Sequence, residues 1–356
     1  MNDVSGYTNI NMIQKGVEMM VSIYFATKDK IYKAAEEEGR WTLETIEGPE
    51  DIRSIAFDEI SNRLFSGTFN DGLYGSDDGG ESWQRLGEDA LNKRVMSIAV
   101  SKTEQLGEFS VIWAGTEPSM LYRTEDGGMT WTDCPELLEL PSEPEWSFPP
   151  RPETHHVRTI QPDLHDTEKI FVGIELGGVM RSLDSGATWE DRKTGSHHDS
   201  HSIKAHPFVR GRIYEAAGEG FAESTDGGDS WQKFNDGLDD YTYMVDVAAN
   251  PGDADTMIAS VAQGPREAYM PERANTRMVR RTGDNAWEFI DAGLPDAEGS
   301  AVFALLTDAG QPGVFYAVNN LGIYISEDAG FSFDMVDVEW PDEVLESRVL
   351  DAVLVK

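Results

Sequence analysis

All seven histidines of this 356-residue chain fall between His155 and His206, and five of them, His155, His156, His197, His198 and His201, crowd two short stretches. One stretch reads HHDSH, residues 197–201, so Asp199 stands among imidazoles. Imidazole is the commonest protein metal ligand and carboxylates complete sites for borderline cations. His156, His198 and His201, with Asp199 and Glu175, could therefore hold a divalent metal; the residues leave any other cofactor open. The spacing follows no established zinc pattern, and hydrogen-bonded or solvated histidines in a polar loop are the alternative. A second chemistry needs carboxylates. Glycoside hydrolysis uses two acids about 5 to 9.5 Å apart, and Glu117 and Glu175 end two β-rich runs, VIWAGTE and KIFVGIE, at matching positions. His201 is the third catalytic candidate. The remaining possibility is recognition without turnover. Arg53, Arg158, Asp199, Arg266 and Asn319 would then be ligand contacts, and Trp146, with Phe148 and Arg151 in WSFPPRP, a stacking platform or lid. The ligand could be a small molecule, a carbohydrate or another protein. A serine–histidine–aspartate relay is excluded, because DSHS places its members side by side on one strand and no GxSxG elbow occurs.

Residues so far apart in sequence meet only if a repeat brings them together, and one is present. SDDGGESW (76–83), TEDGGMTW (124–131), SLDSGATW (182–189) and STDGGDSW (224–231) share one pattern. SEDAGFSF (326–333), TGDNAW (282–287) and EEEGRW (36–41) are worn copies. Their terminal aromatics, Trp41, Trp83, Trp131, Trp189, Trp231, Trp287 and Phe333, recur roughly every 40 to 60 residues, the size of one four-stranded propeller blade. Before most copies lie two β-rich runs split by turn residues, such as RVMSIAVSK then VIWAGTE, and no segment sustains a helical period. The expected fold is all-β, a seven-bladed β-propeller of four-stranded blades spanning residues 20–356, with residues 1–19 a disordered extension. The last nine residues, RVLDAVLVK (348–356), parallel the first strand RVMSIAVSK (94–102), whereas VSIYFATKD (21–29) reads like a second strand. The C-terminal strand should therefore complete the N-terminal blade and remove an exposed sheet edge.

The pattern Ser/Thr-x-Asp-x-Gly-x-Ser/Thr-Trp resembles the Asp-box, or bacterial neuraminidase repeat, of sialidase-like propellers. The whole chain looks like the BNR-like repeat proteins labelled glycosyl hydrolases. The resemblance places each octet in the turn between third and fourth strands. There Asp78, Asp126, Asp184, Asp226 and Asp328 would accept backbone N–H bonds, glycine would supply the positive φ, and the aromatic would pack between sheets. In an up-and-down blade that turn shares a face with the turn between first and second strands. A substrate site is therefore expected at the opposite channel mouth, where the long segments 135–153 and 262–276 also fall. Aligned first strands place Arg53, Met96, Arg158, His201, Val245, Phe303 and Leu350 at equivalent near-channel positions. Second strands end at Glu117, Glu175, Gly218/Glu219 and Asn319/Asn320. Sialidase chemistry would ask for an arginine cluster, to which Arg53 and Arg158 could contribute, and a Tyr nucleophile assisted by Glu. The Arg-Ile-Pro motif that precedes the first Asp-box of sialidases is absent and no Tyr–Glu partner stands out. The resemblance therefore implies a hydrolase-like propeller, or a non-catalytic binding one, rather than a sialidase.

Charge speaks to environment and partners. With 65 acidic against 29 basic residues the net charge is −36. Such self-repulsion is tolerable where salt screens it, the Debye length being about 3 Å at 1 M, which points to a salt-loving source. The unfolding midpoint is expected to rise with KCl into the molar range, and a maximum near 0.1 M would contradict this reading. The acidity also argues against nucleic acid, whose phosphates need Lys and Arg, and against anionic membrane surfaces. No apolar run reaches the roughly 18 residues of a spanning helix, and the N-terminal stretch has no secretory h-region. Cys134 is alone, so no internal disulfide forms. A cytoplasmic location is expected.

Overall fold

The computed structural model describes residues 21–356; the extension expected at residues 1–19 lies outside the described residues. The β-rich runs fold into seven antiparallel sheets arranged as the blades of a propeller. Blade 2 shows the plan, with strands Ile52–Asp58, Arg63–Thr68, Leu73–Ser76 and Gln84–Leu86 in spatial order from channel to rim. Second strands such as Arg63–Thr68, Ile170–Ile174 and Ile213–Ala217 are buried at every residue, because neighbouring blades cover both their faces. Fourth strands are short and polar, as at Thr132–Asp133 and Gln232–Lys233, which blunts the outer edge against further pairing. In blade 4 the fourth strand shrinks to one bridge between Arg181 and Glu190.

Blade 1 is closed by the C-terminus. Asp351–Val355 forms its innermost strand and pairs antiparallel with Ser22–Ala26, from Ser22 opposite Val355 to Ala26 opposite Asp351. The Asp351 carboxylate also accepts the Ile55 N–H of blade 2 at 3.0 Å, tying the closing strand to the next blade.

The core lies between blades, and each repeat aromatic marks one of its compartments. Trp83 packs with Ile31, Ile46 and Leu64 between blades 1 and 2, and Trp131 with Phe65 and Ile112 between blades 2 and 3. Trp189, Trp231, Trp287, Phe333 and Trp41 do the same around the ring. The octet turns hold these aromatics in place. In SLDSGATW, Asp184 Oδ1 accepts the Ser182 hydroxyl at 2.9 Å and the Thr188 N–H at 2.7 Å, and Oδ2 accepts the Thr188 hydroxyl at 2.6 Å. Those bonds, the Thr188 hydroxyl foremost, hold the Asp184 carboxyl below its usual range. Asp78, Asp126, Asp226 and Asp328 repeat the arrangement.

Glycine is required in these turns for two reasons. Gly80 has φ +102°, and a Cβ there would stand 2.5 Å from Ile46 Cγ2 of the neighbouring blade. EEEGRW differs from its siblings: Glu37 pairs directly with Arg40, and Glu38 and Gly39, both at positive φ, make a two-residue hairpin turn with no Asp bracket. Among the described residues no helix is long and apolar enough to cross a membrane.

Candidate functional site

Five first strands carry a one-residue bulge at the same place. The register slips between Ile52 and Ser54, Val95 and Ser97, Val157 and Thr159, Ser200 and Ser202, and Met244 and Asp246. The bulged residues are Arg53, Met96, Arg158, His201 and Val245, and a bulge re-aims its side chain out of the pleat. With Phe303 and Leu350 from the other two blades, these seven side chains surround the channel. Two positions earlier a second ring begins: His156, Asp199, Tyr243 and Arg348 precede Arg158, His201, Val245 and Leu350 in that way, and all four line a cavity of about 480 Å³ at the channel mouth.

Phe148, Pro149, Pro150 and Arg151 from the segment joining blades 3 and 4 wall one side of this cavity, and Pro265 and Tyr269 from the blade 6 insertion wall another. Four guanidiniums, Arg53, Arg151, Arg158 and Arg348, line it together with only two carboxylates, Glu175 and Asp199. The arginines are held apart by aromatic rings. Arg53, Arg94 and Arg151 lie 4.7 to 4.8 Å from the centroid of Phe69, and Arg348 lies 4.5 Å from that of Tyr269. Arg53 leans on Asp51 at 3.0 Å and Arg158 Nε stands 3.6 Å from Glu175, but Arg348 has no ion-pair partner among the described residues. Burial, then the charges of Arg158 and Arg53, bring the Arg348 pKa down to about 10 against the opposing pull of Tyr269.

The site residues expected from sequence divide into two groups. Arg53, Arg158, Glu175, Asp199 and His156 line the cavity, and His201 stands just beneath it. The others are engaged elsewhere. Glu117, fully buried, accepts from Arg94 at 2.8 Å and from Arg151 through Nε at 2.6 Å and through Nη2, so it anchors the cavity wall rather than facing the space. Trp146 is a core residue, 5% exposed, whose indole N–H donates to Ser142; its neighbours Phe148 and Arg151 form the wall instead. Arg266 points to solvent. Asn319 is sealed inside blade 7 and accepts the Leu321 N–H at 2.8 Å. His198 sits outside the cavity, its Nδ1 3.3 Å from Arg192.

The expected metal set is therefore redrawn, with Glu175, Asp199 and His201 offering one ligand atom each, all within 4.8 Å of one another. His156 stays behind Glu175, its Nε2 at 3.8 Å, and burial together with Arg158 and Arg151 lowers its pKa to about 3. Burial also opposes charge on His201, but the Tyr269 oxygen and the Asp199 and Glu175 carboxylates outweigh it and raise its pKa to about 10. Asp199 is held below its usual range: burial acts the other way, and the nearby His201 ring, its Nε2 3.4 Å from Oδ2, prevails.

Behind Asp199, Glu215 accepts the His197 N–H at 2.9 Å and is fully buried; burial pushes its carboxyl up to about 8 from 4.5. An acid whose folded pKa is raised binds its proton more tightly in the native chain. Glu215 therefore stabilises the fold below about pH 4.5, and that contribution is lost as pH rises toward 8, at about 1.4 kcal/mol per unit. Glu215→Gln keeps the acceptor and removes the titration. Its unfolding midpoint should fall less than that of the wild type between pH 6 and 8; parallel curves would rule this out.

Tyr243, Tyr269 and Arg348 complete the cavity but were not singled out together from sequence. The signal was available, since Tyr243 and Arg348 stand two residues before a near-channel position, Val245 and Leu350, as His156 and Asp199 do before Arg158 and His201.

No protein-family model and no curated protein matches the chain. Solved structures do. An ancestral GH74 enzyme aligns over 94% of this chain and 40% of its own, with 15% identity and a TM-score of 0.62. The GH74 xyloglucanase from Xanthomonas campestris aligns over 89% and 54%, with 15% identity and a TM-score of 0.59. The chain thus spans about half or less of these two proteins. YCF48 bound to D1 peptide aligns over 94% and 95%, with 15% identity and a TM-score of 0.55. At such identities the likeness is one of fold, the β-propeller.

Proposed function

We propose that the channel-mouth cavity binds a carboxylate-bearing small molecule of the carbohydrate class, and that the chain is a hydrolase-like propeller acting on it. The observation that carries this reading is charge placed against the grain. In a chain of net charge −36, four guanidiniums converge on one cavity, and among the described residues no carboxylate pairs with Arg348. Unpaired, partly desolvated guanidiniums are the usual receptors for planar anions, which they grip with two hydrogen bonds. Tyr269 and Phe148 give the apolar faces that a sugar ring packs against, and about 480 Å³ suits a ligand of one or two rings. Glu175 and Asp199, rather than Glu117 and Glu175, are the two carboxylates at the cavity; their nearest ligand atoms lie within 4.8 Å, just inside the roughly 5 Å of a retaining pair, with His201 beside Asp199. The Asp-box reading of the octet turns and the GH74 neighbours, which are glycoside hydrolases by name, support the same class. A salt-loving, cytoplasmic setting fits the surface charge.

The test compares glucuronate with glucose by calorimetric titration, and follows phenol release from aryl glucuronides. Saturable binding of glucuronate but not glucose, with release abolished in Glu175→Gln, is the expected result. Binding without release would reassign the propeller to recognition alone, as the peptide-bound neighbour illustrates. Equal binding of both sugars, or of neither, would overturn the proposal.

A further inference from the structure

The geometry points to a divalent-cation site, of the Zn²⁺ or Mn²⁺ class, formed by Glu175, Asp199 and His201 where the cavity meets the channel. The first support is unspent bonding capacity. Among the described residues, His201 Nε2, Glu175 Oε2 and Asp199 Oδ1 are each buried from solvent without a hydrogen-bond partner, and the His201 side chain is wholly buried. A buried polar atom left unpaired costs about 1 to 3 kcal/mol, more if charged, so three such atoms on residues whose ligand atoms lie within 4.8 Å of one another call for a shared partner.

The second support is orientation. His201 donates Nδ1–H to the Met244 carbonyl at 2.7 Å. That bond fixes the ring and directs Nε2 toward the two acids, the outer-layer arrangement found behind metal-bound histidines. The third is spacing. His201 Nε2 stands 3.4 Å from Asp199 Oδ2, and about 3.4 Å is the edge of a tetrahedron whose corners lie about 2.1 Å from its centre, a zinc–nitrogen or zinc–oxygen bond length.

A fourth observation concerns the backbone. Gly218, at the end of the second strand of blade 5, leaves room for the Asp199 carboxylate: a Cβ there would lie 2.2 Å from Oδ2. The ligands thus come from a second-strand end in blade 4 and from the bulge and its approach in blade 5, all braced by sheet. Arg158 and His156 approach Glu175 Oε2 only to 3.6 and 3.8 Å, beyond hydrogen-bond range, so neither occupies that oxygen. One imidazole and two carboxylates suit Zn²⁺ or Mn²⁺ better than Ca²⁺, which takes six to eight oxygens. Three protein ligands leave further coordination positions for water or a ligand group.

The test is calorimetric titration of Zn²⁺, then Mn²⁺, into protein stripped with EDTA and dialysed into 2 M KCl, where salt screens adventitious binding to the acidic surface. One equivalent per chain is expected. Asp199→Asn and His201→Ala should each weaken it at least about 100-fold, since even outer-layer partners of a metal site change affinity 10- to 100-fold. Gly218→Ala, which removes no ligand atom, should weaken it as well, and His198→Ala should leave it unchanged. If His201→Ala fails to fold, the near-isosteric Asp199→Asn decides. The site is refuted by a wild type that takes up no stoichiometric cation, or by equal affinity in Asp199→Asn. Because no sugar is present in this titration and glucuronate binding can be measured in EDTA, failure of either proposal leaves the other standing.

Discussion

Deletion of Asp351–Lys356 is expected to leave a chain that no longer unfolds cooperatively, or that melts at least about 10 °C below the wild type. The closing strand supplies five paired residues to the innermost position of blade 1. It also contributes Ala352 and Leu354 to the compartment between blades 7 and 1, and Val353 and Val355 to that between blades 1 and 2. Full burial of such side chains is worth about 1.5 to 3 kcal/mol each; these are mostly half-buried, so their joint contribution is on the order of 5 kcal/mol. That rivals the entire stability of an ordinary domain, about 5 to 15 kcal/mol. Deletion would further expose Ser22–Ala26 as an unpaired edge, a template for aggregation. Light scattering during a thermal ramp would register both effects, and an unchanged midpoint would mean that the ring does not depend on its closure.

Arg348→Ala is expected to weaken glucuronate binding about 30-fold while leaving the unfolding midpoint equal to or above that of the wild type. The magnitude follows from losing charge-assisted hydrogen bonds worth about 2 kcal/mol. The direction of the stability change follows from the surroundings of Arg348. Burial and the nearby Arg158 and Arg53 charges oppose its own charge, and among the described residues no carboxylate is left behind when it goes. Arg158→Ala should behave differently. It strands Glu175, whose carboxylate lies 3.6 Å from Arg158 Nε, so both binding and folding should suffer. A loss of stability in Arg348→Ala comparable to that in Arg158→Ala would mean that Arg348 is a structural cation after all.

The architecture was legible because it repeats. Seven aromatic-ended turns, two β-rich runs before most of them and a C-terminal run that reads like a first strand specify blade number, blade size and closure, and the structure has all three. The near-channel register was legible too: Arg53, Arg158 and His201 aligned in sequence are bulged alike in the sheets. What repetition does not encode is how a side chain at the end of a strand is spent. Glu117 and Glu175 are equivalent by alignment, yet Arg94 and Arg151, from outside the aligned strand ends, capture one and leave the other at the cavity. Trp146 and Phe148 are two residues apart in one irregular segment, and only tertiary packing, which sets Trp146 in one core cluster with Leu137 and Leu140 of the same segment, decides which enters the core. Arg348 carries no motif that marks it; what sets it apart is that among the described residues no carboxylate pairs with it.

The central claim is that an arginine-lined mouth in an otherwise acidic propeller receives an anion, and Arg348 is the residue that separates this from a purely structural cluster. The direct measurement is calorimetric titration of glucuronate into wild-type and Arg348→Ala protein at one KCl concentration that keeps both folded. One saturable site in the wild type, weakened about 30-fold in the variant, is the predicted result; no saturable binding to the wild type, or equal affinity in the two proteins, would contradict it.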